Sequence, residues 1–146
     1  MSDRGLTHIA LPVSNLDTSI AFYEHYAQLR VVHRRTDTGS GVHVAWLSDR
    51  TRPFVLVLIE ASTVDHPLFP FAHLGVGCSS REEVDRLCHQ ARGQGCLRCG
   101  PTDSGYPIGY WAFIADPDGH TLELSFGQEI TLTVAQAREG SHCDRA

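Results

Sequence analysis

Along this chain the hydrophobic pattern switches from a period of two to a helical period and back, and it does so twice in the same order. Strict alternation marks Thr7 to Val13, with Ile9, Leu11 and Val13 on one face and His8 and Ala10 on the other. A helix is predicted next, over about residues 16–28, with Leu16, Ile20, Tyr23 and Ala27 on one side and Asn15 as its cap. Three strand-like runs follow, at Arg30–Arg35, Gly41–Leu47 and Pro53–Ile59. Then the order repeats. Ala72–Cys78 alternates with His73 in second place, and Ser80-Arg81-Glu82-Glu83 has the form of a capping box. The helix it opens, Arg81–Arg92, turns Val84, Leu87, Cys88 and Ala91 inward, and Gly93 and Gly95 stop it. Strand-like runs at Cys96–Arg98, Gly109–Ala115 and His120–Phe126 complete the second copy. The turn chemistry between runs is plain, above all at Asp116-Pro117-Asp118-Gly119.

The expected organisation is therefore strand, helix, three strands, twice over: an α+β fold of paired βαβββ modules. His8 and His73 are 65 residues apart, as are Asn15 and Ser80. Modules of that size bury little core alone, so they must pack together, within one chain or across a dimer. We place module one at about 5–62, module two at about 70–127, and a C-terminal extension at 128–146 whose last ten residues, 137–146, read as a frayed polar tail.

Composition narrows the chemistry. The 146 residues carry a net charge of −5, which argues against a nucleic-acid or anionic-membrane partner. All 12 basic residues are Arg, which excludes a Schiff-base lysine and a phosphate-loop lysine. The N-terminus has no signal-like apolar run, and the longest apolar stretch, Phe54–Ile59, is too short to span a bilayer. A cytoplasmic location is expected, with the five Cys (78, 88, 96, 99 and 143) as reduced thiols.

Strand parity then singles out three residues. His8 shares its face with Ala10, His73 with Gly75 and Gly77, and Glu123 with Thr121 and Ser125. Each is an ionisable group on a face of small or polar neighbours, opposite a face suited to packing on a helix. Two imidazoles and a carboxylate suit a divalent ion such as Fe, Zn, Ni or Mn, with coordination positions left for water or substrate.

Three segments carry a resemblance: Thr7-His8-Ile9-Ala10-Leu11-Pro12-Val13 running into Ile20-Ala21-Phe22-Tyr23; Ala72-His73-Leu74-Gly75-Val76; and Asp116-Pro117-Asp118-Gly119-His120-Thr121-Leu122-Glu123-Leu124. Over residues 5–127 the chain resembles the vicinal oxygen chelate superfamily of glyoxalase I, extradiol dioxygenases, fosfomycin-resistance enzymes and bleomycin-resistance proteins. The resemblance implies a glyoxalase-like open mixed β-barrel with flanking helices, a metal held by His8, His73 and Glu123, and a homodimer. It also shows departures. Glyoxalase I carries a fourth ligand where this chain has Val57, and Glu60 has the opposite parity. By the same resemblance, fosfomycin-resistance transferases carry a Tyr where this chain has Phe113 and a phosphonate-binding Thr where it has Ala10.

Further candidates are His43 as a base, and Tyr106 and Tyr110 as donors to a substrate oxygen or as a cavity lid. Trp46 and Trp111 either line the cavity or fill the core, with the core expected, and His120 lies at the surface or behind a ligand. Cys96-Leu97-Arg98-Cys99 lacks the second pair that a structural zinc needs. The functional expectation is a metal-dependent enzyme acting on a small oxygen-chelating substrate, glyoxalase-like or dioxygenase-like. The alternative is a non-catalytic drug- or metabolite-binding protein of the bleomycin-resistance type.

Overall fold

The computed structural model describes residues 2–143, with side chains described as far as residue 139. Its elements run β1 (His8–Val13), α1 (Leu16–Tyr26), β2 (Arg30–Thr36), β3 (His43–Ser48) and β4 (Val55–Glu60) in the first module. The second module has β5 (Leu74–Gly77), α2 (Arg81–Gly93), β6 (Leu97–Asp103), β7 (Tyr110–Ala115) and β8 (Thr121–Phe126), and α3 (Ile130–Cys143) follows. The expected βαβββ order is present twice. Each module forms a four-stranded sheet, ordered β1-β4-β3-β2 and β5-β8-β7-β6. Contacts divide the chain into a unit of Met1–Leu74 with Ala115–Leu122, and a unit of Gly75–Ile114 with Glu123–Ala146.

In the first unit β1 pairs parallel with β4, and β3 pairs antiparallel with both β4 and β2. Alternation decides which face meets α1. Leu11, Val13, Ala45, Leu47, Leu56 and Leu58 are all buried, together with Leu16, Ile20, Tyr23 and Ala27 of the helix side. Asn15 caps α1 as expected, accepting from Thr18 N–H at 2.9 Å. Glu60, at the end of β4, adds a second cap by accepting from Leu16 N–H at 2.9 Å. The helix stops at Tyr26, two residues early, because Ala27 closes it and Gln28 turns left-handed at φ 54. β2 contains a bulge between Val31 and His33.

The Asp116–Gly119 turn belongs to this unit and is pinned by buried polar bonds. Asp116 Oδ1 accepts from the N–H groups of Asp118 (2.9 Å) and His120 (2.8 Å), which makes the tight turn. Its other oxygen accepts from Tyr23 Oη–H at 2.8 Å, and burial together with this carboxylate pushes the phenol strongly up. Asp118 accepts from Ser14 N–H at 3.0 Å. His120 is not a surface residue: it is 1% exposed. Its Nδ1 accepts from Leu68 N–H (3.0 Å) and its Nε2–H donates to the Pro12 carbonyl (2.8 Å), which fixes one neutral tautomer.

In the second unit α2 buries Val84, Leu87, Cys88 and Ala91, the four expected positions. Ser80 caps it by accepting from Glu83 N–H at 3.1 Å, and Glu83 reaches back to Ser79 N–H at 2.6 Å. Gly109 opens β7 at φ +81, and a Cβ there would lie 2.5 Å from the Phe126 carbonyl oxygen, so only glycine fits. Two boundaries differ from expectation: β5 starts after His73, and β6 runs on to Asp103. The tail expected to fray from 137 is helical as far as Cys143, because Ala, Gln, Arg and Glu after Val134 are good helix formers. The remaining positions of that tail, and the Cys143 side chain, lie outside the described residues. No helix among the described residues is long and apolar enough to cross a membrane.

Candidate functional site

The α1-distal face of the first sheet carries the site. Strand register sets it out as three rows. His8 lies beside Val55, which lines up with Ser48 and Arg30. Ala10 lies beside Val57, then Trp46, then His33. Pro12 lies beside Ile59, then Val44, then Arg35. A groove of about 590 Å³ lies on this face, with His8, Trp46, Val57, Ile59, Arg35 and Arg52 among its lining. That volume is in the range of pockets that hold drug-sized molecules.

Trp46 is not in the core, where its size suggested it belonged. It is 38% exposed on the groove face, with the His33 ring 4.9 Å away and the Arg35 guanidinium carbon 5.9 Å from its centroid. Arg35 Nε–H donates to Asp37 Oδ1 at 2.8 Å, which orients the fork. Arg52, in the turn entering β4, donates from Nε to Thr51 Oγ1 at 3.3 Å and lies 3.6 Å from Asp49. Partial burial opposes ionisation of Asp49, but the Thr51 N–H and hydroxyl and the Arg52 charge outweigh it and hold the carboxyl below its usual range. None of these arginines was singled out by motif reading. The signal that could have found them is the shared parity of Trp46 and Ser48 opposite β2.

The three candidate ligands are set as follows. His8 is exposed at the start of β1, its Nδ1 2.9 Å from Thr7 Oγ1. His73, exposed just before β5, donates from Nδ1 to the Phe71 carbonyl at 2.7 Å. That bond puts the lone pair on Nε2, the tautomer and restraint a metal-binding imidazole needs. Glu123 is buried in β8, and the Gln128 amide donates to its Oε1. Gly75 leaves room beside it, since a Cβ there would stand 3.9 Å from the same oxygen. The donor types and the His73 tautomer fit a divalent ion. Among the described residues no three His, Cys, Asp or Glu side chains are grouped as a metal cluster. His8 and His73 fall in the first unit and Glu123 in the second.

The fourth-ligand question has a structural answer. Val57 faces the groove beside Ala10, and Glu60, of opposite phase, is committed to the α1 cap. His43 shares the phase of buried Ala45 and Leu47, and its Nδ1 lies 2.8 Å from Thr36 Oγ1. Tyr106 is 69% exposed. Tyr110 donates to Asp85 at 2.6 Å, a bond that together with its Asp85 neighbour raises the phenol. Trp111 donates from its indole to Ser104 Oγ at 2.9 Å. Burial, then the Glu83 charge, pushes the Cys78 thiol up to about 11, and burial followed by Asp85 does the same to Cys88.

Comparison with known proteins agrees with this architecture. Residues 5–124 match the Glyoxalase/Bleomycin resistance protein/Dioxygenase superfamily. An uncharacterised protein of Pseudomonas aeruginosa is 38% identical over 128 residues, covering 86% of this chain and 90% of that one. Glyoxalase I of Leishmania major superposes with a TM-score of 0.71 at 21% identity, over 97% of this chain and 99% of that one. The fosfomycin resistance protein FosX of Listeria monocytogenes, solved with Mn(II) and 1S,2S-dihydroxypropylphosphonic acid, gives 0.65 at 19% identity, over 85% and 93%. The fold is thus the glyoxalase-like α+β fold, and the chain belongs to this superfamily, the vicinal oxygen chelate proteins.

Proposed function

We propose that the chain is a metal-dependent enzyme whose substrate chelates one divalent ion through one or two oxygens. His8, His73 and Glu123 are the proposed ligands. The observation that carries the reading is the donor chemistry at these positions, above all the His73 imidazole held through Nδ1 by the Phe71 carbonyl. Iron, zinc, nickel and manganese all suit two imidazoles and a carboxylate. When bound, such an ion polarises a substrate oxygen as a Lewis acid. The chain's own part is to seat the substrate: Trp46, Val57 and Ile59 desolvate an apolar body beside His8. Val57 in place of a fourth ligand favours a three-ligand site, compatible with glyoxalase-like or dioxygenase-like chemistry. His43, Tyr106 and Tyr110 are candidate proton-transfer groups, to be tested as His43→Gln, Tyr106→Phe and Tyr110→Phe for loss of turnover at unchanged metal content.

A homodimer goes with this reading, supported by the edge strand β2, whose seven residues are all exposed. So does residence in the cytoplasm, supported by the odd number of cysteines. The test is metal content per chain, purified without chelator or a metal-binding tag, beside a His73→Ala, Glu123→Ala double variant. One transition metal per wild-type chain, lost in the variant, is expected. Negligible metal in both after reconstitution overturns the enzyme reading. The apolar groove would then favour the second reading, a protein that sequesters a small molecule.

A further inference from the structure

We propose that the groove of the first unit selects an organic oxyanion carried on an aromatic body, with Arg35 as the anion anchor. The chain as a whole is acidic, with a net charge of −5. The groove nonetheless gathers two guanidinium groups, Arg35 and Arg52, each beside one carboxylate, Asp37 and Asp49, with Asp3 as the carboxylate of its lining. Arg35 is already oriented, because Asp37 holds its Nε–H at 2.8 Å. That contact uses one of five N–H donors, and the remaining edge of a guanidinium suits two oxygens of a carboxylate or phosphate.

The sheet register gives the length of the ligand. His8 and Arg35 stand at diagonally opposite corners of the same face. They are three strand spacings apart across the sheet, about 14 Å, and four residues apart along it, about 13 Å. The Arg35 guanidinium leans back over Trp46, its carbon 5.9 Å from the ring centroid, so the ligand spans less than the backbone diagonal. Between His8 and Arg35 lie Val57 and Trp46, and Trp46 presents an exposed ring beneath the Arg35 guanidinium. A flat aromatic body lying on Trp46, with its charged end on Arg35, points its other end toward His8 and fills a groove of about 590 Å³. Arg52, in the turn before β4, offers a second guanidinium at the groove's margin. The inference deepens the proposed function, because His8 belongs to the same groove.

The experiment is calorimetric titration of the full chain after chelation of any metal, so that no metal–oxygen contact contributes. The probes are 2-naphthoate, 2-naphthyl phosphate and neutral 2-naphthamide at low salt. At least one anion is expected to bind tenfold or more tightly than the amide, and the stronger of the two identifies carboxylate or phosphate. Arg35→Gln should bring the anion to the level of the amide, Arg35→Lys should retain part of the affinity, and Arg52→Gln should cost two- to threefold. Arg34→Gln is the control: it changes the same charge on the same strand, but Arg34 pairs with Asp17 of α1 at 2.8 Å. Equal binding of anion and amide, or full affinity in a folded Arg35→Gln, or no binding of either anion at millimolar concentration, overturns the proposal. Metal content is measured separately, so loss of the metal reading and loss of this one are distinguishable.

Discussion

The last strands of the two modules occupy the same place in the repeat and carry opposite chemistry. β4 reads Val-Leu-Val-Leu-Ile-Glu, and β8 reads Thr-Leu-Glu-Leu-Ser-Phe. Their interior positions agree: Leu56 and Leu58 in one, Leu122 and Leu124 in the other, none more than 5% exposed. Their other faces do not. Val55, Val57 and Ile59 make an apolar groove floor, while Thr121, Glu123 and Ser125 make a buried polar row. The glutamates have also moved. Glu60 ends β4 in the phase of the helix and caps α1, while Glu123 sits mid-strand in the opposite phase. The two strands agree at the positions that packing fixes and differ at the others. One strand presents an apolar row to the groove, and the other presents a buried row of polar side chains.

The largest effects should fall on the shared interior. Leu58→Ala and Leu124→Ala are each expected to cost about 2–5 kcal/mol in denaturant unfolding. A loss under about 1 kcal/mol in either would show that the two interiors are not equivalent. Next is His120→Ala, which strands Leu68 N–H and the Pro12 carbonyl. It should cost about 1–3 kcal/mol, and unchanged stability would mean water replaces the ring. Glu60→Ala should cost about 0.5–2 kcal/mol by removing a cap and leave metal content unaltered, whereas Glu123→Ala should abolish metal binding. Identical metal content in the two variants would erase the contrast between the strands.

The smallest effect is in the thiols. At pH 7.5 iodoacetamide should label exposed Cys99 before Cys78 and Cys88, read by mass spectrometry. The native Cys78 and Cys88 thiols ionise near 11, against 9.0 as the ordinary value. Between those values the unfolded chain releases protons that the native chain keeps. Stability is therefore full below pH 9.0 and falls as pH rises toward 11, a slope that Cys88→Ala should reduce.

Much of this was legible in the chain itself. Both helices, their caps, their buried faces and the Asp-Pro-Asp-Gly turn follow from periodicity and side-chain chemistry, because these signals are local. The parity of His8 against Leu11 and Val13 is equally local, and it holds in β1. His120 was misplaced because the groups that bury it, Leu68 and Pro12, come from distant segments. Trp46 was misplaced because size alone suggests burial, while the face it stands on is open. Arg35 was missed for a sharper reason. Counting alternate residues from Arg30 puts it on the helix side, and only the irregularity between Val31 and His33 brings it opposite Val44 on the groove face.

That irregularity makes β2 a phase shifter. With Val32 as the extra residue, the register from His33 onward sets Arg35 on the groove face and Arg34 toward Asp17 of the helix. Binding preference in this module can thus change through chain length alone, with every side chain kept. Removing Val32 leaves His33 opposite Trp46 and straightens the strand, but adding a residue between His33 and Arg34 would put Arg34 opposite Val44 and Arg35 opposite His43, exchanging the two arginines. A single-codon insertion would then act as a substitution at every position downstream in the strand.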